Sequence, residues 1–375
     1  METLIKGGHV IDPASGINGP MNVVAKDHRI TYLGKDTPSA ERVVDATGCY
    51  VFPGLIDFHA HVDYLGGEIG VNPAFFLGNG ITATVDAGST GCMNFESFYR
   101  SIVVPSPITI KTYLNAFGGG LISEDILENY SVTHYRKMAE VLDRYRDNIL
   151  GLKYRYIDGL ATFDTFRDAV KFAHDHGVRI CVHTSRPAGP LDKMINLLEK
   201  DDVYTHMYHN RGMDTILDEA KQYIKPSVME ARKRGVIFDV ANGNTNFSFS
   251  VALPAVSAGF WPDIISTDIG RDKLNLQTRV KNLPNIMAKF LQMGMPLEEV
   301  IRSVTQTPAR LMHMEGKIGT LQPGANSDVA IFQIADHPFV LDDIENTKYT
   351  CNKLFIPKMT IVNGDIAFCS GEFNL

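Results

Sequence analysis

The chain reads as an α/β protein, a (β/α)8 barrel of the TIM type carrying a small β-sandwich domain built from both chain ends. Three patterns predict it. Short β-prone runs alternate with helical stretches through the middle of the chain, both ends are rich in strands and turns, and ligand-type side chains stand at the carboxyl ends of successive apolar runs.

Residues 1–50 hold the strand candidates Met21-Asn22-Val23-Val24 and Arg29-Ile30-Thr31-Tyr32-Leu33, punctuated by Asp12-Pro13, Asn18-Gly19-Pro20 and Thr47-Gly48. Tyr50-Val51-Phe52 then leads through Pro53-Gly54 into Leu55-Ile56-Asp57-Phe58-His59-Ala60-His61. Further strand candidates are Ala83–Asp86, Ile108–Leu114, Leu150–Lys153, Arg179–His183, Tyr204–His206, Val236–Val240 and Ile264–Asp268. Stretches such as Thr133–Arg146, Phe163–His176 and Pro226–Arg234 separate them as helices, the signature of parallel β/α units. Asp328–Phe332, Lys358–Val362 and Asp365–Phe368 are strands again. Neither end can bury much alone, so residues 1–50 and 320–375 are expected to pair as the small domain, with 51–319 as the barrel.

Composition excludes several classes. A chain of 375 residues with 44% hydrophobic and 21% charged residues has the make-up of a globular protein. A net charge of −7 gives no basis for gripping phosphate backbones, so nucleic acid is not an expected partner. No apolar run approaches the ~20 residues that cross a bilayer, and Met1–Gly8 lacks the apolar core of a signal peptide. The five cysteines (Cys49, Cys92, Cys181, Cys351 and Cys369) are scattered and odd in number, which argues against a disulfide framework. A cytoplasmic enzyme acting on a small molecule, away from membranes, is the expectation, with homo-oligomerisation left open.

The chemistry concentrates at strand ends. On a strand, residues i and i+2 share a face, so His59 and His61 project side by side. Alone, a His-x-His is a weak metal signal. Lys153, His183, His206 and Asp268 also end apolar runs, and in a barrel those ends converge on one rim. Each has a bland alternative: His183 as a core histidine, Asp268 as a turn residue, and His209 as a competitor of His206. Lys153 fits the bland alternative worst, because desolvation in a barrel mouth penalises its charge. A neutral lysine amine can add CO2 to give a carbamate (N6-carboxylysine), an anionic oxygen ligand able to bridge two metals. Gly118-Gly119-Gly120 lacks the Gly-Lys-Ser/Thr ending of a phosphate loop.

The order His-x-His, Lys, His, His, Asp resembles the amidohydrolase superfamily in its binuclear, carboxylated-lysine branch, which includes dihydroorotase-like enzymes. Asp86-Ala87-Gly88-Ser89, Thr307-Pro308-Ala309-Arg310 and Gly316–Asp328 extend the resemblance over the whole chain. It implies that His59, His61 and Asp268 bind one divalent ion, that His183 and His206 bind a second, and that carboxylated Lys153 bridges them. Imidazole and oxygen donors suit zinc, with manganese, iron or nickel as alternatives. A bridging hydroxide would attack a polarised carbonyl, with Asp268 as general base and then acid.

Gly151-Leu152-Lys153-Tyr154-Arg155 is similar to a subgroup containing deacetylases of N-acyl amino acids and acetylated hydroxy acids. Arg155 there would grip a substrate carboxylate. Asn242 stands where that subgroup is expected to carry histidine and is assigned as a second substrate contact. His183-Thr184-Ser185-Arg186-Pro187 lacks an expected acid, while Arg186 and Arg271 add positive charge near the rim. The expected activity is metal-dependent hydrolysis of an amide or ester of a small carboxylate-bearing N-acyl or O-acetyl compound. Its rivals are a cyclic amidohydrolase of the dihydroorotase or hydantoinase kind, an adenine-type deaminase and, least supported, a non-catalytic barrel.

Overall fold

The computed structural model describes residues 2–122, 134–212, 214–220, 222–271, 279–371 and 373. Fifteen strands fall into two sheets among these residues. The first six are β1 (Glu2–Asp12), β2 (Ile17–Lys26), β3 (Arg29–Gly34), β4 (Arg42–Asp45), β5 (Tyr50–Pro53) and β6 (Leu55–Ala60). The parallel run continues with β7 (Ile81–Gly91), β8 (Thr109–Asn115), β9 (Ile149–Arg155), β10 (Arg179–His183), β11 (Val203–Thr205) and β12 (Ile237–Asp239). The chain finishes with β13 (Val329–Asp342), β14 (Lys348–Val362) and β15 (Asp365–Cys369).

Strands β6 to β12 form a seven-stranded parallel sheet in sequence order. Helices such as Phe163–Asp175 and Pro226–Arg234 connect its strands, as the alternation of patterns predicts. The helix expected from Thr133 runs over Tyr135–Arg144, and Thr133 itself lies outside the described residues. Threonine at the N-cap of Phe163–Asp175 accepts from Thr165 N and closes a reciprocal capping box, which sets that helix's start.

The eighth expected strand, Ile264–Asp268, is not a regular strand. It makes isolated parallel bridges, Asp239 to Ile264 on the β12 side and Ala60 to Ile269 on the β6 side. The reason is visible at Thr267, whose backbone N–H goes to the Asp57 carboxylate at 3.0 Å instead of to a ladder partner. Its backbone oxygen accepts from Gly243 N, and Asp268 N reaches His59 O, so the segment still bonds to both edges of the sheet.

The sheet's inner face is packed with Ile56, Phe58, Val85, Tyr113, Cys181, Val203 and Ile264, which meet Leu311, Met312 and Ile318. Both chain ends enter the other sheet, a mixed one ordered β15-β14-β13-β5-β1-β2-β3, with β4 on β1. Its own core includes Ile5, Val10, Val23, Val329 and Ile361. Asp12 from one end accepts from Thr320 Oγ1 and Leu321 N of the other, at 2.9 and 2.8 Å.

One sequence expectation needs correcting. Tyr50–Phe52 is not the start of the strand that carries the histidines. It belongs to β5, which pairs with β1 and β13 in the mixed sheet. The chain changes sheet at Gly54, where a Cβ would lie 2.1 Å from Thr82 Oγ1 and 2.5 Å from Thr82 Cγ2. Only glycine fits this approach. Gly54→Ala should lower stability by about 1–3 kcal/mol through overpacking, measured by denaturant unfolding. Because Thr82 Oγ1 is buried without a hydrogen-bond partner, Thr82→Ala in the same chain should restore part of the loss, its remaining Cβ still lying 2.8 Å from the new methyl; additive losses would show that the contact is not the cause.

Candidate metal centre

The parallel strands deliver the ligand-type residues to one end. His59 is in β6 and His61 just past it, Lys153 is near the end of β9, His183 ends β10, and His206 follows β11. Asp268 lies in the bridging segment, bonded through its N–H to His59 O at 2.7 Å. His206 and Asp268 both adopt left-handed backbone, with φ of 59° and 51°. Such residues cost about 1–3 kcal/mol each and persist where surrounding bonds enforce them.

His59, His61 and Asp268 are buried and offer ligand atoms within 4.8 Å of one another. Asp268 Oδ1 is 3.3 Å from His61 Nε2 and 3.7 Å from His59 Nε2. His206 Nε2 and His183 Nδ1 meet at 2.8 Å, and Lys153 Nζ is 3.2 Å from His59 Nε2. The His59 and His206 rings are 5.4 Å apart. All six expected ligand residues therefore cluster at one pole of the sheet.

The hydrogen-bond network fixes which ring nitrogens are bare. His59 Nδ1 faces the Asp239 carboxylate at 3.1 Å and so carries a proton. His61 Nδ1 is 3.1 Å from Ser89 Oγ, whose own proton goes to Asp86 Oδ2 at 2.7 Å, so the histidine donates. His206 Nδ1 donates to Ala241 O at 2.7 Å. His183 Nε2 donates to Ser185 Oγ at 3.0 Å, since that hydroxyl donates to Asn246 Oδ1 at 2.8 Å. Each histidine is left with one bare nitrogen aimed inward. The His183 and His206 lone pairs even face each other, a repulsive arrangement unless a cation or proton lies between them. Such outer-shell locking is how proteins orient imidazoles for a metal.

Burial keeps the His59, His183 and His206 rings neutral. Burial pushes the His59 and His183 pKa values well below the ordinary value, and burial pushes His206 down to about 3. The neutral imidazole is the metal-binding form. Lys153 is buried, 3% exposed, and no carboxylate lies within ion-pair distance of it among the described residues. Its Nζ also lies 3.8 Å from Cys181 Sγ, and Gly88 leaves room for its stem, where a Cβ would come within 2.6 Å of Lys153 Cβ. These donors fit a centre for divalent metal.

A cavity of about 470 Å3 opens over the cluster, lined by His59, His61, Lys153, His183 and Asp268 together with Arg155, Arg186 and Arg211. Arg155 Nε is buried without a hydrogen-bond partner. Asn242 is not on the cavity wall. It accepts a hydrogen bond from Lys289 Nζ, which sits 3.5 Å from the centre of the Phe247 ring and whose pKa burial lowers to about 7. Asn246 takes the wall position instead, donating to Asp268 Oδ2 at 3.1 Å. Arg271 is likewise turned away, bonded to the Gly70 and Tyr64 carbonyls, whereas Arg211 faces the cavity. His209 is fully buried and does not line the cavity. Sequence reasoning assigned no role to Asp57, Asp86, Ser89, Asp239 or Asn246, although Asp86 and Ser89 stand in a quoted motif and Asp239, at the end of β12, carried a signal that could have found it.

The amidohydrolase family model matches residues 50–367. The chain belongs to the amidohydrolase family. Its relatives include a deacetylase of Brucella anthropi, 29% identical over 92% of this chain and 86% of the relative. Among solved structures, one titled as an adenine deaminase superposes with a TM-score of 0.89 at 27% identity, covering 98% of this chain and 99% of that one. Another, titled as a dihydroorotase, gives 0.88 at 25% identity with the same coverage. Members of this family hydrolyse C–N bonds other than peptide bonds, typically with divalent metal, and the His59, His61 and Asp268 cluster is the corresponding metal-site candidate here. No helix among the described residues is long and apolar enough to cross a membrane.

His209 supplies a pH test of the buried histidine layer. Burial pushes its pKa down to about 4 from the ordinary histidine value of about 6.5. The unfolded chain therefore binds the extra proton between those values, so this contribution is full above 6.5 and is lost as the pH falls toward 4. In the metal-free chain, His209→Gln should flatten the acid side of the stability curve and leave the slope above pH 6.5 unchanged, read from denaturant midpoints; parallel curves would contradict it.

Proposed function

We propose that this amidohydrolase cleaves the amide bond of a small N-acyl compound bearing a carboxylate, a deacetylase-type reaction. Arg155 carries the reading. It lies two residues past Lys153 on β9, so both side chains share a face; Arg155 lines the cavity, and its buried Nε has no hydrogen-bond partner. A buried guanidinium edge without an acceptor is costly until an anion takes it, and a carboxylate matches it bidentately. The deacetylase relative supports the same reading.

His59, His61 and Asp268 would hold one ion and His183 and His206 the other. Lys153 would lie between them as its carbamate, formed when the amine takes up CO2 and releases a proton. Two divalent ions, zinc being the best match to this donor set, supply water activation and carbonyl polarisation when bound. Asp268 Oδ2, oriented by Asn246, accepts the proton of the attacking water and delivers it to the amide nitrogen as the C–N bond breaks. The products are the acyl carboxylate and the free amine. An O-acetyl ester of a hydroxy acid would meet the same groups. Neutral adenine and hydantoin have no anion for Arg155, which places the deaminase and hydantoinase readings second; dihydroorotate carries a carboxylate, and turnover separates it from the N-acyl acids.

The test is turnover by the metal-loaded protein. N-acetyl amino acids should exceed their N-acetyl amino acid amides in kcat/KM by about a hundredfold or more, and Arg155→Gln should remove most of that ratio. Asp268→Asn should cut kcat by about 10^2–10^4. Turnover of adenine, hydantoin or dihydroorotate without hydrolysis of any N-acyl acid would replace this reading.

A further inference from the structure

Resting on the N-acyl carboxylate reading, we infer that the cavity takes a substrate with two anionic groups: a carboxylate at Arg155, and a second anion, carboxylate or phosphate, between Arg186 and Arg211. All three arginines line the cavity that the ligand cluster also lines. None of the three has an ion-pair partner among the described residues, and Asp268 is the one carboxylate among the described lining residues. In a chain with net charge −7 this is a local excess of cations facing one space.

The pair is built into the fold. Arg186 N donates to Arg211 O at 3.2 Å, tying the loop after β10 to the loop after β11. Arg186 holds a left-handed φ of 56°. Its neighbour Gly212 has φ of 83°, and a Cβ there would lie 2.9 Å from Arg186 Cα, so a side chain at that position would push the loops apart. Burial, and then the charge of Arg186, push the Arg211 pKa below its ordinary value, a mark of two like charges held close without a counter-ion. Asn244, Thr245 and Asn246 contribute neutral polar atoms to the wall and no opposing charge. Charges held together this way repel, and an anion bound between them reverses the sign of the interaction. One carboxylate at Arg155 leaves that pair unsatisfied.

The experiment has a binding arm and a turnover arm, both on the full chain loaded with zinc. Calorimetry compares aspartate and O-phosphoserine with asparagine and serine, and kinetics compares the N-acetyl derivatives of the same four. The doubly anionic members should bind, and their derivatives react, at least about tenfold better than their matched partners, and Arg186→Gln and Arg211→Gln should each collapse that ratio. Arg211→Lys, which keeps the charge, should retain part of it and shows that loss in Arg211→Gln is not misfolding. Whichever of aspartate and O-phosphoserine is preferred identifies the second anion. Equal handling of the matched pairs, or ratios untouched by both glutamine variants, overturns the inference while leaving N-acyl hydrolysis standing. Arginine-dependent binding of the dianions with no hydrolysis of any N-acetyl compound does the reverse.

Discussion

The site depends on a carboxylate that no substrate touches. Asp57 lies inside β6 and accepts both the N–H of Thr267 at 3.0 Å and its Oγ1 at 2.6 Å. These bonds replace a strand ladder where the parallel sheet meets the segment 264–269. Burial raises the Asp57 pKa to about 7, so the charged form is expensive there and the Thr267 bonds offset that cost. With Thr267 pinned, Asp268 is forced into its left-handed turn and its Oδ1 faces His59 and His61. A metal ligand supplied by a regular strand would have pointed along the pleat; this one is aimed by the strand that carries the opposing histidine.

The same device recurs around the cluster. Asp239 fixes His59, Asp86 fixes His61 through Ser89, and a backbone carbonyl fixes His206. Asp86 also accepts the N–H groups of Val62 and Ser89, at 2.8 and 2.7 Å, so it locks the chain on both sides of the site. Buried carboxylates of this kind are tolerated because every one is hydrogen-bonded. Together they decide the tautomers, and hence the direction of every free lone pair, before any ion arrives.

Much of this was legible in the sequence, because periodicity and strand-end chemistry are local signals. The strands from Ala83 to Val240 fall where their apolar runs lie, and the ligand types at their ends converge because parallel strands share one carboxyl pole. The illegible parts are those that depend on contacts distant in sequence. Tyr50–Phe52 has the composition of a buried strand, yet which sheet it joins is settled by pairing with residues 329–332. Asn242 and Asn246 are both polar loop residues of similar sequence setting. Only the Lys289 side chain, held on a helix 47 residues away, draws Asn242 off the wall and leaves Asn246 on it. Arg211 and Arg271 exchange roles for the same reason, since backbone carbonyls at residues 64 and 70 capture the latter.

On the proposed reading, these pre-aimed lone pairs define two adjacent metal positions bridged by carboxylated Lys153. Anomalous diffraction from crystals grown with zinc and bicarbonate tests it most directly. Two ions per chain are expected, one against His59, His61 and Asp268 and one against His183 and His206, with carbamate density continuous from Lys153 Nζ between them. A single ion at the first position, with Lys153 ending in an unmodified amine, would contradict it.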